Sequence, residues 1–166
     1  MAEDERRIWL EEAMNRWETS LLRLCFAYLG DRSLAEDAVQ ETFLKAWKGW
    51  DRFRREADEK TWLTRIAINT AKDMRKSAWF RHVDRSAALD CLPEGSIPFE
   101  AQDDTITRAV MALPDKLRKV SLLCWLQGLS GDEAARVLRV PRSTVYHRLK
   151  KAQELLKQEL EGYDEA

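Results

Sequence analysis

Histidine, cysteine, proline and glycine are all scarce in this chain: two, three, four and six among 166 residues. His82 and His147 have no cysteine near them, which excludes the clustered donors of an ordinary zinc site. Cys25, Cys91 and Cys124 are odd in number and make no C-x-x-C pair, so a disulfide framework is not expected. Cys25 and Cys124 fall within apolar helical patterns and are expected to pack as small hydrophobes. No run approaches the ~18–20 apolar residues that a membrane span needs. The acidic start, Met1 to Arg7, enters no apolar segment, so no secretory signal is expected. Gly-rich phosphate loops and Ser-His or Cys-His sets are missing as well. The chain is therefore expected to be cytoplasmic and not an enzyme, with no catalytic residue, metal or cofactor. An excess of one charge is also lacking: 28 Lys+Arg stand against 29 Asp+Glu. That balance counts against a binder held by bulk positive charge and against an acidic disordered tail.

What is present is helical periodicity. Hydrophobic residues make up 45% of the chain, enough for packed cores. Leu10, Met14, Trp17, Leu21, Leu24 and Tyr28 recur at steps of three and four, giving one apolar face that ends at Gly30-Asp31. Ser33 with Glu36 three residues on has the spacing of a capping box for a second helix, whose face is Ala35, Val39, Thr42, Phe43, Ala46, Trp47 and Trp50. After a polar connection, Asp51 to Lys60, a third helix carries Trp62, Leu63, Ile66, Ala67, Thr70 and Met74. The pattern lapses across 82–104, an acidic stretch with Pro93, Gly95 and Pro98 that reads as a linker. It resumes at Ile106. The fold class expected is all-α: two small helical domains, 1–81 and 105–166, on a flexible acidic tether.

The second domain carries the sharpest motif. Ser130 and Glu133 form a capping box for a short helix, Gly131 to about Leu138. Arg139-Val140-Pro141 ends it, and Pro141 suits the first turn of a longer helix running toward Leu160. Two helices about a tight turn, the second longer and basic, make a helix-turn-helix that lays its second helix in the major groove. From Lys116 to Lys151 there are nine basic and two acidic residues. Arg142, Tyr146, His147, Lys150 and Lys151 lie off the Val145/Leu149/Ala152 stripe, where base edges would be read. Arg148, Lys116, Arg118 and Lys119 are expected on phosphates, which fix register.

In the first domain Trp17, Trp47 and Trp62 fall on apolar faces and are expected in the core. Between Lys45 and Arg81, eleven basic and five acidic residues are interleaved with Trp50, Phe53, Trp79 and Phe80. Rings beside cations are the ingredients of a single-strand binder. Asp37, Gln40 and Glu41, next to Glu36, share one exposed helix face. A metal site there would need partners on facing helices, so a docking face for a basic surface is the better reading.

These residues resemble a known family, the extracytoplasmic-function (ECF, group four) sigma factors of bacterial RNA polymerase. Leu24 to Trp47 and Thr61 to Lys76 look like sigma region two; Leu113 to Val120 and Gly128 to Ala152 look like region four. The resemblance implies a promoter-specificity subunit that recruits core polymerase to a two-part promoter and helps melt it. It implies that Glu36, Asp37, Gln40 and Glu41 grip the clamp helices of the polymerase's largest subunit. The Asp51–Lys60 loop would capture a base flipped from the minus-ten element. Phe53, Arg54, Arg55, Trp62, Asn69, Lys72, Arg75 and Lys76 are the expected minus-ten contacts. Arg142, Ser143, Tyr146, His147, Arg148, Lys150 and Lys151, with Arg118 and Lys119, are those for the minus-thirty-five element. An anti-sigma factor is implied as a further partner. Many members carry Gly where Arg139 and Ser143 stand, and a small or basic residue in place of Tyr146.

The alternative is a helix-turn-helix regulator that binds duplex DNA without polymerase, which would have no use for the first domain. A hydrolytic or metal-dependent helical enzyme is a distant third. The near-zero net charge itself is an average over two basic readers and the acidic segments around them.

Overall fold

The computed structural model describes residues 2–53, 58–84 and 104–164. Every regular element among them is helical. The chain divides into two compact units between Ile97 and Pro98. The linker expected over 82–104 falls, from 85 to 103, outside the described residues, as does Cys91.

The first unit is three helices: α1 (Ala2–Leu29), α2 (Arg32–Gly49) and α3 (Glu59–Asp84), with a short 3₁₀ turn, Trp50–Arg52, after α2. Each helix packs on the other two. Leu21, Leu24, Tyr28, Leu63 and Ile68 are buried where they meet. Ala13, Ala35, Ala38, Ala46, Ala67 and Ala71 are buried as well, and their small side chains let the helix axes approach. Each fully buried Leu or Ile contributes roughly 1.5–3 kcal/mol by removing apolar surface from water. Cys25 lies in this core, as its pattern predicted. Met14, on the expected face, is instead 36% exposed.

Gly30, at φ +73°, turns the chain out of α1. The capping expectation for α2 needs correction. Asp31, not Ser33, is the N-cap: its carboxylate accepts from the Leu34 amide at 3.0 Å, while Glu36 takes the Arg32 guanidinium at 3.1 Å. Asp31 is extended and directly follows the Gly30 reversal, so the helix begins two residues earlier than the serine spacing suggested. α3 also runs three residues past the expected Arg81.

The second unit contains α4 (Asp104–Ala112), α5 (Asp115–Ser121) continued by a π-helical turn, Leu122–Leu126, then α6 (Gly131–Leu138) and α7 (Arg142–Asp164). α7 is the spine against which α4, α5 and α6 pack. Leu113, Leu117 and Ala152 form a buried cluster flanked by Leu155 and Leu156. Val145, Ala134 and Val137 bury the crossing of α6 and α7. Both halves of the Ser130/Glu133 capping box are made, each at 3.1 Å. Arg139 closes α6 in the left-handed region, at φ 56°. Pro141 sits one position before the expected first turn, its carbonyl accepting from the Thr144 and Val145 amides.

Candidate nucleic-acid interface

In the first unit aromatic rings gather where the 3₁₀ turn ends and α3 begins. Phe53 stacks on Trp62 with centroids 4.6 Å apart, and Trp9 of α1 lies 6.4 Å from Phe53 and 6.0 Å from Trp62. Such pairs contribute about 0.5–1.5 kcal/mol beyond burial. Trp9 and Phe53 border a cleft of about 900 Å³ lined also by Trp50 and the carboxylates of Glu5, Asp51, Asp58 and Glu59. Trp62 is thus half-buried beside the loop rather than sealed in the core. Arg54 and Arg55 lie outside the described residues, and so do the side chains of Trp79 and Phe80. Along α3, Asn69 and Lys76 are exposed, and Lys72 and Arg75 are half-buried. The Arg75 guanidinium lies 5.5 Å from the Tyr28 ring.

On α2, Asp37 and Gln40 are exposed and Glu41 is half-buried. Glu36 is exposed and paired with Arg32. Beside them runs an apolar groove of about 540 Å³ between α1 and α2, lined by Leu10, Met14, Val39, Phe43, Leu44 and Gln40. Leu44 is 54% exposed there. Its exposure carried no charge or motif signal in the sequence.

In the second unit Arg142, Ser143, Tyr146, His147, Lys150 and Lys151 are exposed along α7, with Arg148 half-buried. The Arg142 guanidinium donates to the Tyr146 hydroxyl at 3.3 Å, lies 5.3 Å from the Tyr146 ring, and pairs with Asp132 of α6 at 3.3 Å. The Tyr146 hydrogen bond, and then Asp132, push the Arg142 pKa up.

Arg118 and Lys119 do not join this surface. Both are buried. The Arg118 guanidinium donates to the carbonyls of Met111 and Leu113 at the end of α4, where the last carbonyls of a helix lack intrahelical donors. Lys119 pairs with Asp115, one turn back, at 2.9 Å. Neither is therefore placed as a phosphate contact: Arg118 braces the α4–α5 corner, and Lys119 is held along α5 itself. Arg6 and Trp9 of α1, missed in the sequence, stand beside the loop instead. Their nearest signal was the Arg6/Trp9 spacing of three on one helix face.

Residues 13–81 match the family described as Sigma-70 region 2, and residues 103–156 match Sigma-70, region 4. Over 158 residues the chain is 30% identical to the ECF RNA polymerase sigma factor SigW of Bacillus subtilis, covering 87% of this chain and 84% of that protein. It is 33% identical over 134 residues to the ECF RNA polymerase sigma-E factor of Escherichia coli, covering 72% and 70%. Among solved structures, the sigma factor RpoE of Bartonella quintana, in complex with the anti-sigma factor NepR, aligns with a TM-score of 0.75 at 22% identity over 91% of this chain and 96% of that one. CnrH, in complex with the cytosolic domain of CnrY, aligns at 0.70 and 24% identity over 92% and 88%. With region two and region four matched in order on the two helical units, the chain belongs to the sigma-70 family as an ECF sigma factor, a non-enzymatic promoter-specificity subunit of RNA polymerase.

Proposed function

We propose that the two units divide the promoter between them. The first, residues 1–81, holds core polymerase and the melted minus-ten strand; the second, residues 105–166, reads the minus-thirty-five duplex through α7. The observation that carries this reading is the Phe53–Trp62 stack at the mouth of the 51–60 loop, with Asn69, Lys72, Arg75 and Lys76 further along the same α3 helix. Ring faces favour an unstacked base, each stacked base contributing roughly 1–3 kcal/mol, and cations along the same helix favour its phosphates. A stand-alone duplex-binding regulator has no use for such a platform.

The Asp37, Gln40 and Glu41 face, with the apolar groove and Leu44 beside it, serves as the seat of the polymerase clamp helices. Carboxylates there steer a basic partner, and the groove supplies apolar area to bury. An anti-sigma factor is a further partner of this chain, a reading supported by the structural relative RpoE, which is bound to the anti-sigma factor NepR. Among the described residues no helix is long and apolar enough to cross a membrane. The working site is the cytoplasm, where polymerase and promoter meet.

Reconstitution with core polymerase on a promoter library tests the division. Asp37→Arg is expected to cut core binding, whereas Lys150→Glu spares it and weakens promoter recognition. Specific duplex binding by a wild-type protein that never associates with core enzyme would overturn the reading.

A further inference from the structure

One face of α1 holds both ends of the base-capturing loop. Arg6, Trp9, Arg16 and Trp17 fall within one helical stripe. At the loop's start, the Arg6 guanidinium pairs with Asp51 at 3.1 Å and lies 5.0 Å from the Trp47 ring and 5.7 Å from Trp50. At its end, Trp17 Nε1 donates to Glu59 at 3.1 Å, and Arg16 reaches the same carboxylate at 3.4 Å. Between them Trp9 touches the Phe53–Trp62 stack. Arg6 and Trp9 precede residue 13, where the match to region two begins.

Arg6 is not an ordinary solvated cation. Its side chain is only 22% exposed, and its Nε is buried with no hydrogen-bond partner among the described residues. A buried donor without a partner costs free energy. Two indole faces and the Asp51 carboxylate offset that cost through the guanidinium charge. A long side chain held this way fixes the position of whatever it joins, here the last turn of α2 and the first residues of the loop.

We propose that the N-terminal turns of α1 are a strut that sets the loop for base capture, with Arg6 and Trp9 as positioning residues. The proposal rests on the reading of the loop as the minus-ten reader. Pre-setting the loop matters because ordering a loop during strand opening costs entropy at each immobilised residue.

The test uses the full chain with core polymerase on four promoters that differ only at the captured base, with permanganate reactivity reporting strand opening. A protein that is merely less well folded has a smaller active fraction, which lowers opening on all four alike. A displaced loop changes the ratio between them. Arg6→Ala is expected to reduce the preferred-to-disfavoured ratio about fivefold, the scale of one part-exposed cation–π contact and one ion pair. Arg6→Lys restores part of it, and Trp9→Ala lowers it independently. Core association and minus-thirty-five duplex binding stay unchanged. Equal loss on all four promoters, or a wild-type ratio in both Ala variants, overturns the strut. A wild type that opens all four promoters alike overturns the loop reading itself and the strut with it.

Discussion

The hydroxyl end of the Tyr146 ring rests against Gly131, so close that a Cβ at Gly131 would stand 2.9 Å from its Cζ and hydroxyl oxygen. The first residue of α6 thus decides where a ring of the recognition helix rests, and Arg142 and Asp132 close the same corner.

Gly131→Ala should therefore separate stability from recognition. Tyr146 is 49% exposed and can swing outward. The added methyl also favours the helix by up to about 1 kcal/mol. Thermal stability is expected to stay within about 1 kcal/mol of wild type, the two effects opposing. Minus-thirty-five binding is expected to fall, because Tyr146 loses its seat and Arg142 its hydroxyl partner. Melting curves and duplex titrations on one preparation check both.

Arg139 turns the corner between α6 and α7 in a conformation that costs a residue with a Cβ about 1 kcal/mol. Its side chain is exposed. Arg139→Gly is accordingly expected to stabilise the second unit by several tenths of a kcal/mol, since the relief exceeds the extra entropy that glycine gains on unfolding. Amide hydrogen exchange across a urea series, read in the helices of the second unit, measures it.

Arg118→Met removes the donors that the Met111 and Leu113 carbonyls use while keeping much of the apolar stem. Unsatisfied buried acceptors cost about 1–3 kcal/mol, and in a unit this small each 1 kcal/mol lowers the midpoint by roughly 4–8 °C. A fall of that size is expected for the second unit with little change in the first.

The helix-turn-helix was legible nearly residue for residue because its signals are local: a serine and glutamate three apart, and a proline after a two-turn helix. Asp31 displaced Ser33 as a cap because the Gly30 reversal, not residue spacing, set where α2 begins. Arg118 and Lys119 were misread for a different reason. A helical wheel gives the direction of a Cβ, but a long cationic side chain can fold back to carbonyls or to a carboxylate one turn away. The strut was illegible because Arg6 and Asp51 are 45 residues apart and neither belongs to a short motif.

Burial pushes the Cys25 thiol up to about 12 from an ordinary 9.0. The folded state keeps that proton while the unfolded chain releases it, so the group's contribution to stability declines as pH rises from about 9 toward 12. Denaturant unfolding across this range should show wild type losing stability more steeply than Cys25→Ala, whose lower starting value reflects lost packing alone. At pH 8 an alkylating reagent should label Cys124, which is only partly buried, before Cys25.

Salt dependence separates the phosphate contacts from the braces. Each phosphate neutralised on duplex DNA adds close to one to the slope of log affinity against log salt. Lys150 and Lys151 are exposed on the basic side of α7, whereas the Arg118 charge is spent on backbone carbonyls. Lys150→Ala and Lys151→Ala, measured on the holoenzyme with a minus-thirty-five duplex, are each expected to lower the slope by about one. Arg118→Met, held well below its melting temperature, should leave the slope unchanged. An equal drop for Arg118→Met would mean that its guanidinium leaves the α4 carbonyls for the phosphates on binding, so the slope tests the inward placement of this charge directly.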